Sequence, residues 1–91
     1  MGVVWDESRS RTNRKKHGVS FEEARSVFFD ENARLMDDPD HSTDEERFII
    51  LGLSVKLRLL IVCHAYRQND SEIRVISARK ANSREQSAYL R

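Results

Sequence analysis

Apolar and polar positions change rhythm three times along the chain. Val3-Val4-Trp5 is a short apolar, β-prone segment, either an edge strand or a packing plug. From Asp6 to His17 nearly every side chain is polar, including Arg9, Arg11, Arg14, Lys15 and Lys16. Gly18 follows as a residue able to take positive φ after a helix. A helix here has almost no apolar stripe to bury, so it is expected on the outside. Ser20 and Glu23 stand at capping-box spacing, with Val19 and Ala24 placed as a hydrophobic staple. Phe21, Ala24, Val27 and Phe28 then recur at helical spacing. They predict a short amphipathic helix from about Ser20 to Phe29, with Phe21, Val27 and Phe28 inward. Ala33-Arg34-Leu35-Met36 is a candidate short strand. Asp37-Asp38-Pro39-Asp40 is a turn signal, and the acidic stretch after it predicts a surface loop.

Beyond Arg47 the pattern becomes that of strands. Phe48–Leu53 is the first, Val55-Lys56 the turn, and Leu57–Tyr66 the second and longer one. Arg67–Ser71 is a polar loop and Glu72–Arg79 a third strand, completing an antiparallel meander. Asn82 and Glu85 repeat the capping spacing, and a last helix is expected to run to about Leu90. The predicted class is α+β: two N-terminal helices and a C-terminal helix packed on an antiparallel sheet of about four strands. The other sheet face stays partly open to water. With 91 residues and neither repeat nor linker, one domain over residues 1–91 is expected.

Composition changes this picture mainly through charge. The net charge of +1 hides segregation. Residues 1–29 hold six Lys/Arg against four acids, residues 30–46 one against eight, and residues 47–91 nine against three. A basic C-terminal half suits phosphates or an acidic partner, although the same bias also serves as a solubilising surface. The single cysteine, Cys63, excludes an internal disulfide, and no Cys/His set has zinc-ligand spacing, so no cofactor is expected. No segment resembles a signal peptide and no apolar run is long enough to span a bilayer, so a cytoplasmic protein without membrane contact is expected.

Candidate chemistry comes from the second strand. Leu57, Leu59, Ile61, Cys63 and Ala65 are uniformly apolar and are expected to face the core. Arg58, Leu60, Val62, His64 and Tyr66 point the other way. Pairing Tyr66 with Glu72 matches apolar to apolar and gathers Arg58, His64, Tyr66, Glu72 and Arg74 on the second face. A two-residue turn at Val55-Lys56 then brings Arg47 opposite His64. A slip of one residue would scatter the set. Metal-independent RNA cleavage needs a base for the 2′-hydroxyl, an acid for the leaving 5′-oxygen, and cations for the phosphorane. Arg58, His64, Glu72 and Arg79 are the candidate catalytic residues, and Arg47, Tyr66, Arg74 and Lys80 the candidate RNA-binding ones. The plainer reading is that Arg–Glu cross-strand pairs stabilise sheets, by roughly 0.2–1 kcal/mol each. His17 beside a helix end is expected to cap or to contact a partner, and His41 lies in the acidic loop. Cys63 is expected as inert core packing and Trp5 as a core anchor.

Several blocks carry a resemblance. Trp5-Asp6-Glu7, Asn13, the run Lys16-His17-Gly18-Val19-Ser20-Phe21-Glu22-Glu23-Ala24 and Val27-Phe28 resemble the N-terminal signature of the BrnT family. Asp40-His41-Ser42, Glu46-Arg47-Phe48, Gly52, Arg58-Leu59-Leu60, Ile76-Ser77-Ala78-Arg79, Ala81, Glu85 and Tyr89 continue it through nearly the whole chain. The resemblance implies a RelE-like fold and an endoribonuclease toxin of a type II toxin–antitoxin pair that cuts mRNA, with ribosome involvement, and inhibits translation. It also implies neutralisation by a BrnA-type antitoxin, with operator DNA contacted only through that antitoxin. Arg58, His64 and Arg79 fall within matching stretches, whereas Glu72 rests on the strand argument. Exposure and charge nominate Arg11, Arg14 and Lys15 of the first helix, together with the C-terminal helix, for the antitoxin. The alternative is a non-catalytic basic module that only pairs with its antitoxin or with RNA.

Overall fold

A computed structural model describes residues 2–37, 46–67, 69 and 71–91. The turn expected around Pro39, His41 and most of the acidic loop lie outside the described residues. The elements run β1 (Gly2–Val4), α1 (Glu7–His17), α2 (Phe21–Ser26), a 3-10 turn (Val27–Phe29), β2 (Arg34–Asp37), β3 (Phe48–Leu53), β4 (Leu59–Arg67), β5 (Glu72–Lys80) and α3 (Ser83–Leu90). The sheet has five strands in the order β1-β5-β4-β3-β2. β1 lies parallel to β5, with Val3 opposite Ile73, and the other pairings are antiparallel. The class is therefore α+β as expected, but the sheet is mixed and wider than the four antiparallel strands anticipated. The fifth strand is the N-terminal edge strand, which lies on the side of β5 away from β4.

Local chemistry explains the helix ends. Asp6 caps α1 by accepting hydrogen bonds from the Ser8 and Arg9 backbone N–H groups at 2.8 and 3.4 Å. Gly18 closes it at φ 74°, donating to the Arg14 carbonyl at 2.8 Å. Lacking an apolar stripe, α1 docks through two buried polar residues. Ser10 accepts from the Phe21 N–H at 3.0 Å. The Asn13 amide donates to the Val19 and Ala78 carbonyls, both at 2.8 Å, and accepts from the Ala78 N–H at 3.2 Å. Ser20 caps α2 by accepting from the Glu23 N–H at 3.1 Å. The reciprocal half of that expected capping box is missing, because the Glu23 carboxylate turns into the fold. Asn82 and Glu85 form the complete box at α3.

Both sheet faces are covered, at different places. Val19, Phe21, Ala24 and Val27 pack on Ile50, Leu60, Val62, Val75 and Ala78 from one side. On the other side Ala88 and Tyr89 of α3, with Ala81, pack on Leu51, Ile61, Ile49 and Leu59. Successive residues of β4 thus serve opposite cores. This overturns the expectation that Leu57, Leu59, Ile61, Cys63 and Ala65 alone face the core, and that all helices share one face. Cys63 stands half-buried on the α3 side, away from the larger core. Trp5 packs against the larger core as an anchor. Gly52 is required where it stands: a Cβ there would come within 2.8 Å of Val27 Cγ1.

Candidate functional site

Register decides which polar residues meet. Arg67 pairs with Glu72 and Tyr66 with Ile73, one step away from the expected pairing of Tyr66 with Glu72. A bulge then shifts the ladder between Cys63 and His64, so that His64 faces Val75 and Cys63 faces Ser77. At the other hairpin Phe48, not Arg47, lies opposite His64. The connection is five residues, 54–58, rather than the two-residue turn expected at Val55-Lys56, with Leu57 at φ 62°.

These shifts divide the expected cluster. Arg58, His64 and Tyr66 turn toward the α1/α2 side, while Glu72, Arg74 and Arg79 turn toward the α3 side with Arg67. Arg58 and Glu72, the latter opposite Arg67, also stand at opposite ends of the β4–β5 hairpin, roughly 30 Å apart at about 3.3 Å per residue. Lys80 pairs with Leu60 and is exposed at the end of β5.

Arg58 is held by a carboxylate. Its guanidinium donates to both oxygens of the buried Glu23, with Nε at 2.9 Å from Oε2, and to the Gly18 carbonyl at 3.0 Å. The Ser54 hydroxyl donates to the same carboxylate at 2.7 Å. Hydrogen bonding from Arg58 holds the Glu23 carboxyl below its ordinary range against the opposing effect of burial. Glu23, seen in the sequence as a capping residue, is thus the group that fastens the β3–β4 turn to α2.

His64 is fully buried. Phe28 meets it edge-on at 4.9 Å between ring centroids, and Tyr66 does so at 5.4 Å. Its Nδ1 lies 3.3 Å from the Val62 carbonyl oxygen, and its Nε2 has no hydrogen-bond partner among the described residues. Burial depresses its pKa, which keeps the ring neutral. No RNA atom can reach it in this conformation. An aromatic neighbourhood (Phe28, Phe48, Tyr66) in place of water is the reason, and long-range pairing rather than spacing creates it.

The face turned away from α1 and α2 carries the remaining charged candidates. Arg67 and Glu72 are cross-strand neighbours at its open end, and Arg74 stands opposite Ala65. Arg47, half-buried just before β3, alternates onto the same face. Arg79 sits further along, opposite Ile61 where Arg74 is opposite Ala65, about 13 Å away at about 3.3 Å per residue. Both terminal nitrogens of Arg79 donate to Glu85, each at 2.9 Å, which raises the guanidinium pKa further and lowers that of Glu85. The polar neighbours of Arg67 predict a loop there, but β4 runs on to Arg67. Only the extra residue of strand puts it on this face. Among the described residues no three His, Cys, Asp or Glu side chains gather as metal ligands would.

A separate cleft of about 650 Å³ opens on the opposite side, between α1, the α1–α2 loop and the β3–β4 turn. Arg11 and Arg14 line it, with Trp5, Glu7, Glu22, Lys56 and Arg58. Lys15 is exposed on α1 and does not line it. His17 closes the last turn of α1, half-buried.

Comparison with known proteins adds a lineage to this geometry. The family described as "Ribonuclease toxin, BrnT, of type II toxin-antitoxin system" matches residues 5–85. The 1.1 Å crystal structure of the Brucella abortus ribonuclease toxin BrnT superposes with a TM-score of 0.68 at 25% identity. That match covers 91% of this chain and 99% of that one. No curated protein sequence matches.

Proposed function

Because the chain belongs to the BrnT family of ribonuclease toxins of type II toxin–antitoxin systems, we propose that it cuts mRNA on the sheet face turned away from α1 and α2. The observation that carries this reading is the register that sets Arg67, Glu72 and Arg74 together at the open end of β4 and β5. On that reading Glu72 takes the proton of the 2′-hydroxyl as it attacks the adjacent phosphorus. Arg67 and Arg74, with Arg47 beside them, bind the phosphate oxygens as negative charge builds on the phosphorane. The products are a 2′,3′-cyclic phosphate and a 5′-hydroxyl, the leaving oxygen taking its proton from water while Glu72 keeps the proton of the 2′-hydroxyl. Arginine supplies the positive charge, so the reaction proceeds without metal. Arg79, held in place by Glu85, is too far along the strand for the same phosphate and grips a neighbouring one.

In this reading the protein is a RelE-like endoribonuclease of the cytoplasm. It inhibits translation until a BrnA-type antitoxin neutralises it, and it meets operator DNA only through that antitoxin. Its described helices include none long and apolar enough to cross a membrane. The position of His64, buried on the α1/α2 side, favours one second reading, a non-catalytic basic module, since the described residues of the proposed face then include no imidazole. Induced expression separates the two. Wild type is expected to arrest growth with loss of mRNA. Glu72→Gln and Arg74→Ala, both folded, are expected to lose at least 10-fold in RNA cleavage. Full cleavage by both variants rejects this site, and absence of cleavage by wild type supports the binding module.

A further inference from the structure

The β3–β4 turn is built unlike an ordinary hairpin end. Val55 is 74% exposed and Leu57 78% exposed, with Lys56 between them. Leu57 stands at φ 62°, a left-handed conformation that residues other than Gly, Asn and Asp avoid. Side chains from two elements hold it there. The Ser26 hydroxyl accepts from the Val55 N–H at 2.8 Å, and the Ser54 hydroxyl accepts from the Lys56 N–H at 3.2 Å. The Glu23–Arg58 pair locks the base of the turn. The fold thus spends several hydrogen bonds on presenting two large apolar side chains to water. Rigid exposed anchors of this kind mark a binding surface, because they lose little freedom when covered.

The cleft beside this tip adds charge. Arg11 and Arg14 on α1 and Lys56 on the turn all line it, and none forms an ion pair among the described residues. Arg11 and Arg14, with Lys56 whose charge also acts on Glu23, stand next to two apolar anchors and complement a segment that is acidic along one side and apolar along the other. Nucleic acid fits less well. The carboxylates of Glu7 and Glu22 also line the cleft, so the acidic side of the segment must lie over Arg11 and Arg14, and the exposed aliphatic tip offers a polyphosphate nothing.

We propose that this cleft and the Val55/Leu57 tip form the seat of the antitoxin, which docks there an acidic segment with apolar anchors. The inference rests on the toxin reading above, since it takes the partner to be the antitoxin of this chain's own pair. It assigns that partner to the opposite side of the sheet from the face proposed to cut RNA.

The test titrates purified antitoxin of the same pair against the full toxin chain. Leu57→Asn removes one anchor and places at φ 62° a residue that tolerates it, so the variant should melt at or above the wild-type temperature. It is expected to bind at least 10-fold more weakly. Arg11→Glu with Arg14→Glu is expected to weaken binding at least 10-fold and to flatten its salt dependence. Both variants should still cleave RNA. Unchanged antitoxin affinity in both folded variants overturns the proposal. So does a charge reversal that weakens RNA binding while leaving the antitoxin bound, which would make the cleft an RNA groove. A wild type that binds antitoxin through the tip yet never cleaves RNA refutes the proposed activity and leaves the docking surface standing.

Discussion

Arg58→Ala would leave the Glu23 carboxylate buried with the Ser54 hydroxyl as its remaining side-chain donor. Removing one partner of a buried ion pair costs about 3 kcal/mol, at the lower end of the usual span because Arg58 itself is partly exposed. For a chain of this size that lowers Tm by roughly 10 °C or more. Loss of toxicity in Arg58→Ala would then report folding before it reports chemistry, and thermal melts of the purified variant distinguish the two. The pair also writes a pH signature. The carboxyl of Glu23 is depressed in the folded state, so its contribution is present above the unfolded value of about 4.3 and fades as pH falls through the lower folded value. Melts between acid and neutral pH should show this limb in wild type and not in Arg58→Ala. His64 acts in a higher window. Its folded pKa is depressed by burial, so the unfolded chain takes up a proton first, and stability should decline as pH drops below about 6.5. His64→Leu is expected to remove that slope; an unchanged slope would place its origin elsewhere.

At the level of elements, α1 shows how a helix without an apolar stripe can still belong to a core. The Asn13 amide satisfies the Val19 carbonyl and both backbone groups of Ala78. Asn13→Ala would orphan three buried backbone groups at once and is expected to cost about 2–3 kcal/mol, read from the midpoint of urea unfolding. The starts of α2 and α3 and the presence of three long strands were legible in the sequence because they depend on local period and on caps such as Ser20 and Asn82, whereas the Asp6 cap of α1 shows only in the fold. Face and register were not. β4 is apolar on both sides, with Leu59 and Ile61 under α3 and Leu60 and Val62 under α1 and α2, so alternation could not say which side was the core. The one-residue slip that sets Arg67 rather than Tyr66 opposite Glu72 then moved Arg58, His64 and Tyr66 to the other face, and the Cys63/His64 bulge brought Arg79 onto the face of Glu72 and Arg74. For this reason Glu72 and Arg74 kept their company while Arg58, His64 and Tyr66 left it.

Across the whole molecule the sheet divides its work between its two sides. One carries the larger core, the Glu23–Arg58 clamp and the cleft beneath the apolar tip. The other carries α3 and the row of arginines on β4 and β5. Charge segregation in the sequence pointed to a phosphate-binding half, yet only the folded order of strands shows that Arg11 and Arg14 and the arginines of β5 occupy different sides. The parallel edge strand has one more consequence. Gly2–Val4 pairs with Glu72–Arg74, so β1 waits for a strand about 70 residues further along the chain. Closing so long a loop is entropically slow, and topologies of this kind assemble late. Until β5 has been made, therefore, a nascent chain holds no finished sheet and no completed arginine row.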